Sequence, residues 1–168
     1  MADDSEQTRR LLQDSIDGYG RSMPTTNFDN PFVISTIVAS AMTESDTNRT
    51  AKATYAFIVP ATYVNNPGPE RTTHGGAIAT FMDNCTSITL IASKRYFGQG
   101  VTRNLNVTYF QPVIAGEEVY VETEVLSINR RVATIQAAMR RQSDGAFLAM
   151  CIHEKMNPER VGSRASSL

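Results

Sequence analysis

The sequence is poor in the residues that metal and redox chemistry need. It holds two histidines and two cysteines in 168 residues. Cys85 and Cys151 fit no zinc or redox spacing, and no ligand cluster surrounds His74 or His153. That disfavours a structural or catalytic zinc, so no metal and no cofactor is expected, and both thiols read as buried and reduced. Charge of one sign is also missing. Sixteen Lys and Arg against seventeen Asp and Glu leave a formal net charge of −1, which disfavours a nucleic-acid partner that depends on a broad basic surface. Long apolar runs are absent too. None approaches the roughly 18 residues of a membrane span, and the start MADDSEQTRR is polar, with no signal-peptide core behind it. The expectation is a chain with no membrane partner in a reducing intracellular setting, cytoplasmic by default, with mitochondrion or peroxisome open.

What is present suits one domain with a sizeable core: 41% hydrophobic and 20% charged residues. Leu11, Leu12 and Ile16 predict a short amphipathic helix over 4–19, stopped by Gly18 and Gly20. Residues 21–30 read as a loop. The β-branched run from Phe32 to about Ser45 and the stretch 50–59 read as two strands joined as a hairpin. A long irregular loop, 60–73, contains Asn65, Asn66, Pro67, Gly68 and Pro69. A helix follows over about 76–96, apolar around so much of its circumference that a sheet should wrap it. Four strand-like segments come next, at 101–110, 117–129, 131–142 and 146–156, with Asp144-Gly145 turning the last pair. The division is 1–30 as N-terminal helix and loop, 31–157 as the main domain and 158–168 as a polar tail. The class is α+β: an antiparallel six-stranded sheet wrapped around a long central helix, with an extra N-terminal helix.

The most informative stretch is His74-Gly75-Gly76-Ala77-Ile78-Ala79-Thr80-Phe81-Met82-Asp83-Asn84. A glycine turn opens an apolar helix that carries one carboxylate two turns in. An unpaired charge on such a face is costly, so Asp83 needs a reason, and catalysis is the leading one. Amides at Gly75 and Gly76 at the helix start could hold a developing negative charge.

The segment HGGAIATFMDNCTS resembles the HGG helix of hotdog-fold acyl-CoA thioesterases, of the phenylacetate-pathway and small eukaryotic type. VTRNLNVTYFQPVIAGEEV resembles the strand that follows it there. The resemblance covers about residues 50–156 and implies the hotdog fold. It also implies Asp83 as catalytic carboxylate, Gly75 as oxyanion-hole amide, Thr102 as the hydroxyl that positions water, and Asn66 or Asn65 as a contact to thioester or water. The chain departs from the family in a longer loop before HGG and in Thr73, where relatives commonly carry an apolar residue. The implied partners are an acyl-CoA substrate and a second copy of the chain in a homodimer, with homotetramers common in the family.

Thioester hydrolysis needs an activated water or nucleophile and donors for the carbonyl oxygen. Asp83 can serve as general base or as nucleophile, and the water route is favoured because Thr102 could help hold the water. Positions 75 and 83 lie eight residues apart, about 12 Å along a helix, whereas catalytic groups must lie about 3 Å from the reacting atoms. Two antiparallel copies of the helix would pair Gly75 of one chain with Asp83 of the other. His74 is expected to fix the turn through its ring. His74, Gly76, Phe81 and Met82 are the substrate-side candidates, and a pocket of Ile78, Phe81 and Met82 would take a fatty or aryl acyl group. His153 reads as packing or interface. Arg130, Arg131, Arg140, Arg141 and Lys155 read as a solvated face that could include phosphate contacts. Rival readings are a carrier-protein or polyketide thioester hydrolase, a hotdog dehydratase using His74 with Asp83, and a non-catalytic acyl-CoA-binding protein.

Overall fold

Six antiparallel strands in the order β1-β2-β4-β5-β6-β3 curl around one central helix in the computed structural model, which describes residues 4–43, 51–65, 71–93 and 100–157. The elements are α1 (Asp4–Ser22), α2 (Asn30–Val33), β1 (Ile37–Thr43), β2 (Ala51–Ile58), α3 (Gly75–Ile91), β3 (Val101–Tyr109), β4 (Glu118–Ile128), β5 (Val132–Arg141) and β6 (Phe147–Met156). The expected α+β plan is the observed one.

Two local expectations are corrected. Helix α1 does not stop at Gly18 or Gly20 but runs to Ser22. Leu12 and Ile16 anchor it in the core, and the bare Gly20 lets it approach α2: a Cβ there would lie 3.4 Å from Ile34 Cγ2. Tertiary packing here outweighs the roughly 1 kcal/mol that a helical glycine costs. Phe32 and Val33 are helical rather than extended, because Pro31 sits in the first turn of α2, where a fixed φ and a missing N–H are tolerated. The strand therefore begins only at Ile37.

Helix α1 also blunts one sheet edge. The Val38 amide donates to Gln13 Oε1 at 2.8 Å, so the side chain takes the place of a neighbouring strand. The other edge, β3, pairs with β6 on one side only. At the far end of the sheet Asp144 accepts from the Ala146 amide at 2.9 Å, and Gly145 turns the chain at φ +72°, a conformation that favours glycine.

The core forms between α3 and the inward rows of the sheet. Val119, Val121 and Val125 of β4 and Ile135 and Met139 of β5 alternate inward and are fully buried. They meet Ala77, Phe81, Met82, Cys85 and Leu90 of α3. On β6 the inward row reads Ala149, Cys151, His153, Lys155. It turns from apolar to polar toward the strand's end, and that polar end lies over the α3 turns that carry Asp83 and Ser87.

Candidate active site

The start of α3 is built by hydrogen bonds that leave one amide over. The Thr73 amide donates to Val113 O and the His74 amide to Tyr63 O, each at 2.7 Å. His74 is extended, at φ −61° and ψ 133°, and its Nδ1 accepts from the Gly76 amide at 2.9 Å. This is a side-chain N-cap. The ring thus fixes the turn. It also corrects the expectation of two free amides, because the Gly76 N–H is committed to the cap. Gly75 N–H has no acceptor among the described residues, while Gly75 O accepts from Tyr109 Oη at 2.8 Å. Gly75 lines a cavity of about 300 Å³ with Thr72, Thr73, Ile78, Tyr109 and Pro112. Such a donor at a helix N-terminus can meet a carbonyl oxygen as it gains negative charge.

Two turns along, the side chain of Asp83 is about one-third exposed (35%). Thr102 Oγ1 of β3 donates to Asp83 Oδ1 at 2.9 Å, and His153 Nε2 of β6 stands 3.2 Å from the same oxygen. Thr102 Oγ1 and His153 Nε2 are 3.0 Å apart, and His153 Nδ1 is 2.6 Å from Thr86 Oγ1. Thr86 Oγ1 also donates to Met82 O at 2.7 Å and to Asp83 O at 3.0 Å, and its direction toward Nδ1 follows the tautomer of the ring. Asp83 Oδ1 accepts from Thr102 with the His153 ring beside it, and Oδ2 has no partner among the described residues.

Burial pushes the His153 imidazole down to about 4; the Lys155 charge adds to this and the Asp83 carboxylate opposes it. The ring is neutral near pH 7. Burial also lowers Lys155, against the pull of Asp83. Cys85 is raised well above the usual thiol range by burial, and Cys151 to about 11 by the same cause. Neither thiol is a nucleophile at neutral pH. Among the described residues no group of three His, Cys, Asp or Glu could hold a metal ion.

The remaining candidates fall differently. Asn66 lies outside the described residues. Asn65 holds the loop, its amide donating to Thr72 O at 2.8 Å and its Nδ2 to Thr73 O at 3.4 Å. Phe81 and Met82 are corrected: both are fully buried in the core, and neither lines a described cavity. Phe81 is enclosed by the rings of Phe32, Phe57 and Tyr63, with centroids 4.7–5.3 Å away. Of the proposed acyl-facing trio, Ile78 alone reaches a cavity. Arg140 and Arg141 pair with Glu122, Glu117 and Asp144 at the surface. Lys155 is corrected from solvated to buried, at 4% exposure. A larger cavity, about 700 Å³, lies over the sheet between Met42, Lys52, Glu122 and Met150 and does not include Asp83 or Gly75.

His153 and Lys155 are the site residues the sequence reading missed. The signal that could have found them is the period-two row of β6, which puts both on the face of Ala149 and Cys151.

Residues 71–147 match the family model described as the thioesterase superfamily. Acyl-coenzyme A thioesterase 13 of Homo sapiens is 30% identical over 84 residues, which is 50% of this chain and 59% of the relative. The chain thus spans about three-fifths of the length of that curated relative. The crystal structure of zebra fish thioesterase superfamily member 2 superposes with a TM-score of 0.68 at 22% identity, covering 86% of this chain and 97% of that one. The Mus musculus member 2 gives 0.64 at 20% identity, covering 93% and 98%. The protein therefore has the hotdog fold, and residues 71–147 within it are similar to the thioesterase superfamily.

Proposed function

We propose that this chain, similar over residues 71–147 to the thioesterase superfamily, hydrolyses acyl-CoA thioesters at a site shared between two copies. The observation that carries the reading is a partly exposed carboxylate held from behind by Thr102 with His153 3.2 Å away, on the same helix whose first amide has no acceptor among the described residues. Thr102 donates to Oδ1 and the His153 ring stands beside that oxygen, so Oδ2 can receive a proton. Water attacks the thioester carbon while Asp83 takes its proton. The carbonyl oxygen gains charge against Gly75 N–H. The carbon–sulfur bond then breaks, the thiolate leaves, and the carboxylate returns its proton to solvent. A thiolate leaves readily, so no general acid is required. The name of the human relative supports coenzyme A as the leaving group, and a fatty or aryl acyl group is the proposed substrate class. Free, buried Cys85 and Cys151 suit a reducing compartment such as the cytoplasm.

A dehydratase is disfavoured because His74 Nδ1 is committed to the cap. The dimer follows from distance. One helix holds Gly75 and Asp83 about 12 Å apart, too far to serve one carbonyl. The edge strand β3 offers the surface: Val101, Tyr109 and the adjoining Phe110 are about half exposed, and one side of its backbone lacks a partner strand among the described residues.

Subunit complementation tests this. Asp83→Asn and Gly75→Pro chains are each expected to be inactive. Mixed by refolding at equal amounts, they form about half heterodimers, each with one intact site, and about a quarter of wild-type activity returns. No recovery from a mixture shown to contain heterodimers counts against the shared site.

A further inference from the structure

Strand β3 touches both groups of α3 that the mechanism uses. Thr102 Oγ1 donates to Asp83 Oδ1 at 2.9 Å near one end of the strand, and Tyr109 Oη donates to Gly75 O at 2.8 Å at the other. Positions 102 and 109 differ in parity, so a regular strand would send them to opposite faces. The register shift between Thr102 and Asn104 removes one step. Thr102 then stands across from Lys155 and Tyr109 across from Ala149, both in the inward row of β6. Bulges re-aim side chains in this way beside functional sites. The mechanism gives Thr102 a part and leaves Tyr109 without one.

The target of Tyr109 is specific. The peptide unit between Gly75 and Gly76 is held at both ends: its carbonyl accepts from Tyr109 Oη, and its N–H donates to His74 Nδ1 at 2.9 Å. That unit joins two glycines, the residues with the widest backbone freedom, at a helix end, where turns fray. The preceding unit carries the Gly75 N–H. Among the described residues it is anchored at its carbonyl end alone, where His74 O accepts from the Ala77 and Ile78 amides at 2.9 and 3.2 Å. Its nitrogen end is steadied through Gly75 Cα, and so by the grip on the next unit. Gly75 also leaves the phenol room: a Cβ there would lie 3.5 Å from Tyr109 Cζ and Oη, so the ring end rests on bare backbone. Both residues line the cavity of about 300 Å³. Tyr109 is 49% exposed, and a hydroxyl that near to water gains little stability from one carbonyl. Holding the amide in place is the better reason for the bond.

We propose that Tyr109 is a positioning residue for the oxyanion donor: its hydroxyl grips Gly75 O and, with the His74 ring, holds the Gly75–Gly76 peptide so that Gly75 N–H stays aimed at the thioester oxygen. This rests on the Gly75 amide being that donor, as in the reading above. The contact between amide and oxygen strengthens as the oxygen gains charge. Loosening the amide therefore acts on kcat and leaves KM where it is. Losing an oxyanion donor outright costs about 10²–10³ in kcat. A donor that is kept but no longer clamped loses a part of this, about tenfold.

The experiment is a double-mutant cycle in kcat and KM with wild type, Tyr109→Phe, Gly75→Pro and the double variant, read as thiol release from the acyl-CoA that the wild type cleaves fastest. Phenylalanine keeps the ring and the β3 backbone pairing, so circular dichroism and the size-exclusion profile stay as in wild type. Tyr109→Phe is expected to lower kcat about tenfold at unchanged KM. In the Gly75→Pro background, where the amide is already gone, the same change is expected to cost nothing further. An unchanged kcat in Tyr109→Phe overturns the proposal, and so does a rise in KM alone. An equal loss in both backgrounds overturns it too, because the hydroxyl would then act on the substrate or on the fold and not through the amide. A Gly75→Pro enzyme that turns over like wild type removes the oxyanion donor itself, and this role with it. A slow Gly75→Pro together with an undiminished Tyr109→Phe removes the tyrosine role alone.

Discussion

Acid should weaken this fold through one buried ring. His153 is completely buried, and burial lowers its ionisation from the ordinary 6.5 to about 4. Between those values the unfolded chain binds a proton that the native chain refuses. The stability contributed by the neutral ring is therefore complete above about pH 6.5 and is lost as the pH falls toward about 4. For these two values the loss at pH 5, relative to pH 8, is about 2 kcal/mol from this residue. His153→Met replaces the ring with an apolar side chain of similar size and abolishes that slice of the pH dependence. It also removes the partner of Asp83, Thr102 and Thr86, so stability at pH 8 should drop by about 1–3 kcal/mol. Wild type and variant should thus differ clearly at pH 8 and converge at pH 5. Urea unfolding at both pH values and one fixed protein concentration reads this directly. Parallel pH dependences for the two proteins would refute the assignment of His153 as a neutral, buried hydrogen-bonding ring.

Other outcomes follow from the same geometry. Thr73 Oγ1 is buried without a hydrogen-bond partner in the described structure, so Thr73→Val should stabilise the fold by about 1 kcal/mol in a denaturant titration. Gly75→Pro should keep the helix, because position 75 is the first helical residue and His74 before it is already extended. It removes the N–H, and kcat should fall about 10²–10³-fold with the circular dichroism retained. Gly76→Ala acts through structure instead: its Cβ would lie 3.0 Å from His74 Nδ1, so the cap must shift and thermal stability should drop.

Most of the architecture was legible because its signals are local. Period-two alternation marks β3 and β4, Asp144-Gly145 marks the turn between β5 and β6, and the apolar α3 announces a sheet around it. Asp83 stood out because a carboxylate on an apolar helix needs a partner. The partner itself was hidden. His153 lies 70 residues along the chain from Asp83, and only the sheet order brings β6 and β3 together over that turn of α3. Lys155 was misread because a strand lysine usually faces water, and its inward phase becomes clear only in step with Cys151 and His153. Phe81 is expected in the acyl pocket with Ile78 and Met82. Helix geometry turns it to the side opposite Asp83, where Phe32 from α2 helps enclose it. That contact was invisible while residues 32 and 33 were read as strand.

Free-thiol release from a panel of acyl-CoAs, short, long and aryl, with wild type and Asp83→Asn side by side, tests the central claim most directly. The account predicts release by the wild type and a loss of several orders of magnitude in the variant, with fold and dimer unchanged. Comparable release by both proteins, or none by the wild type on any coenzyme A ester, would contradict it.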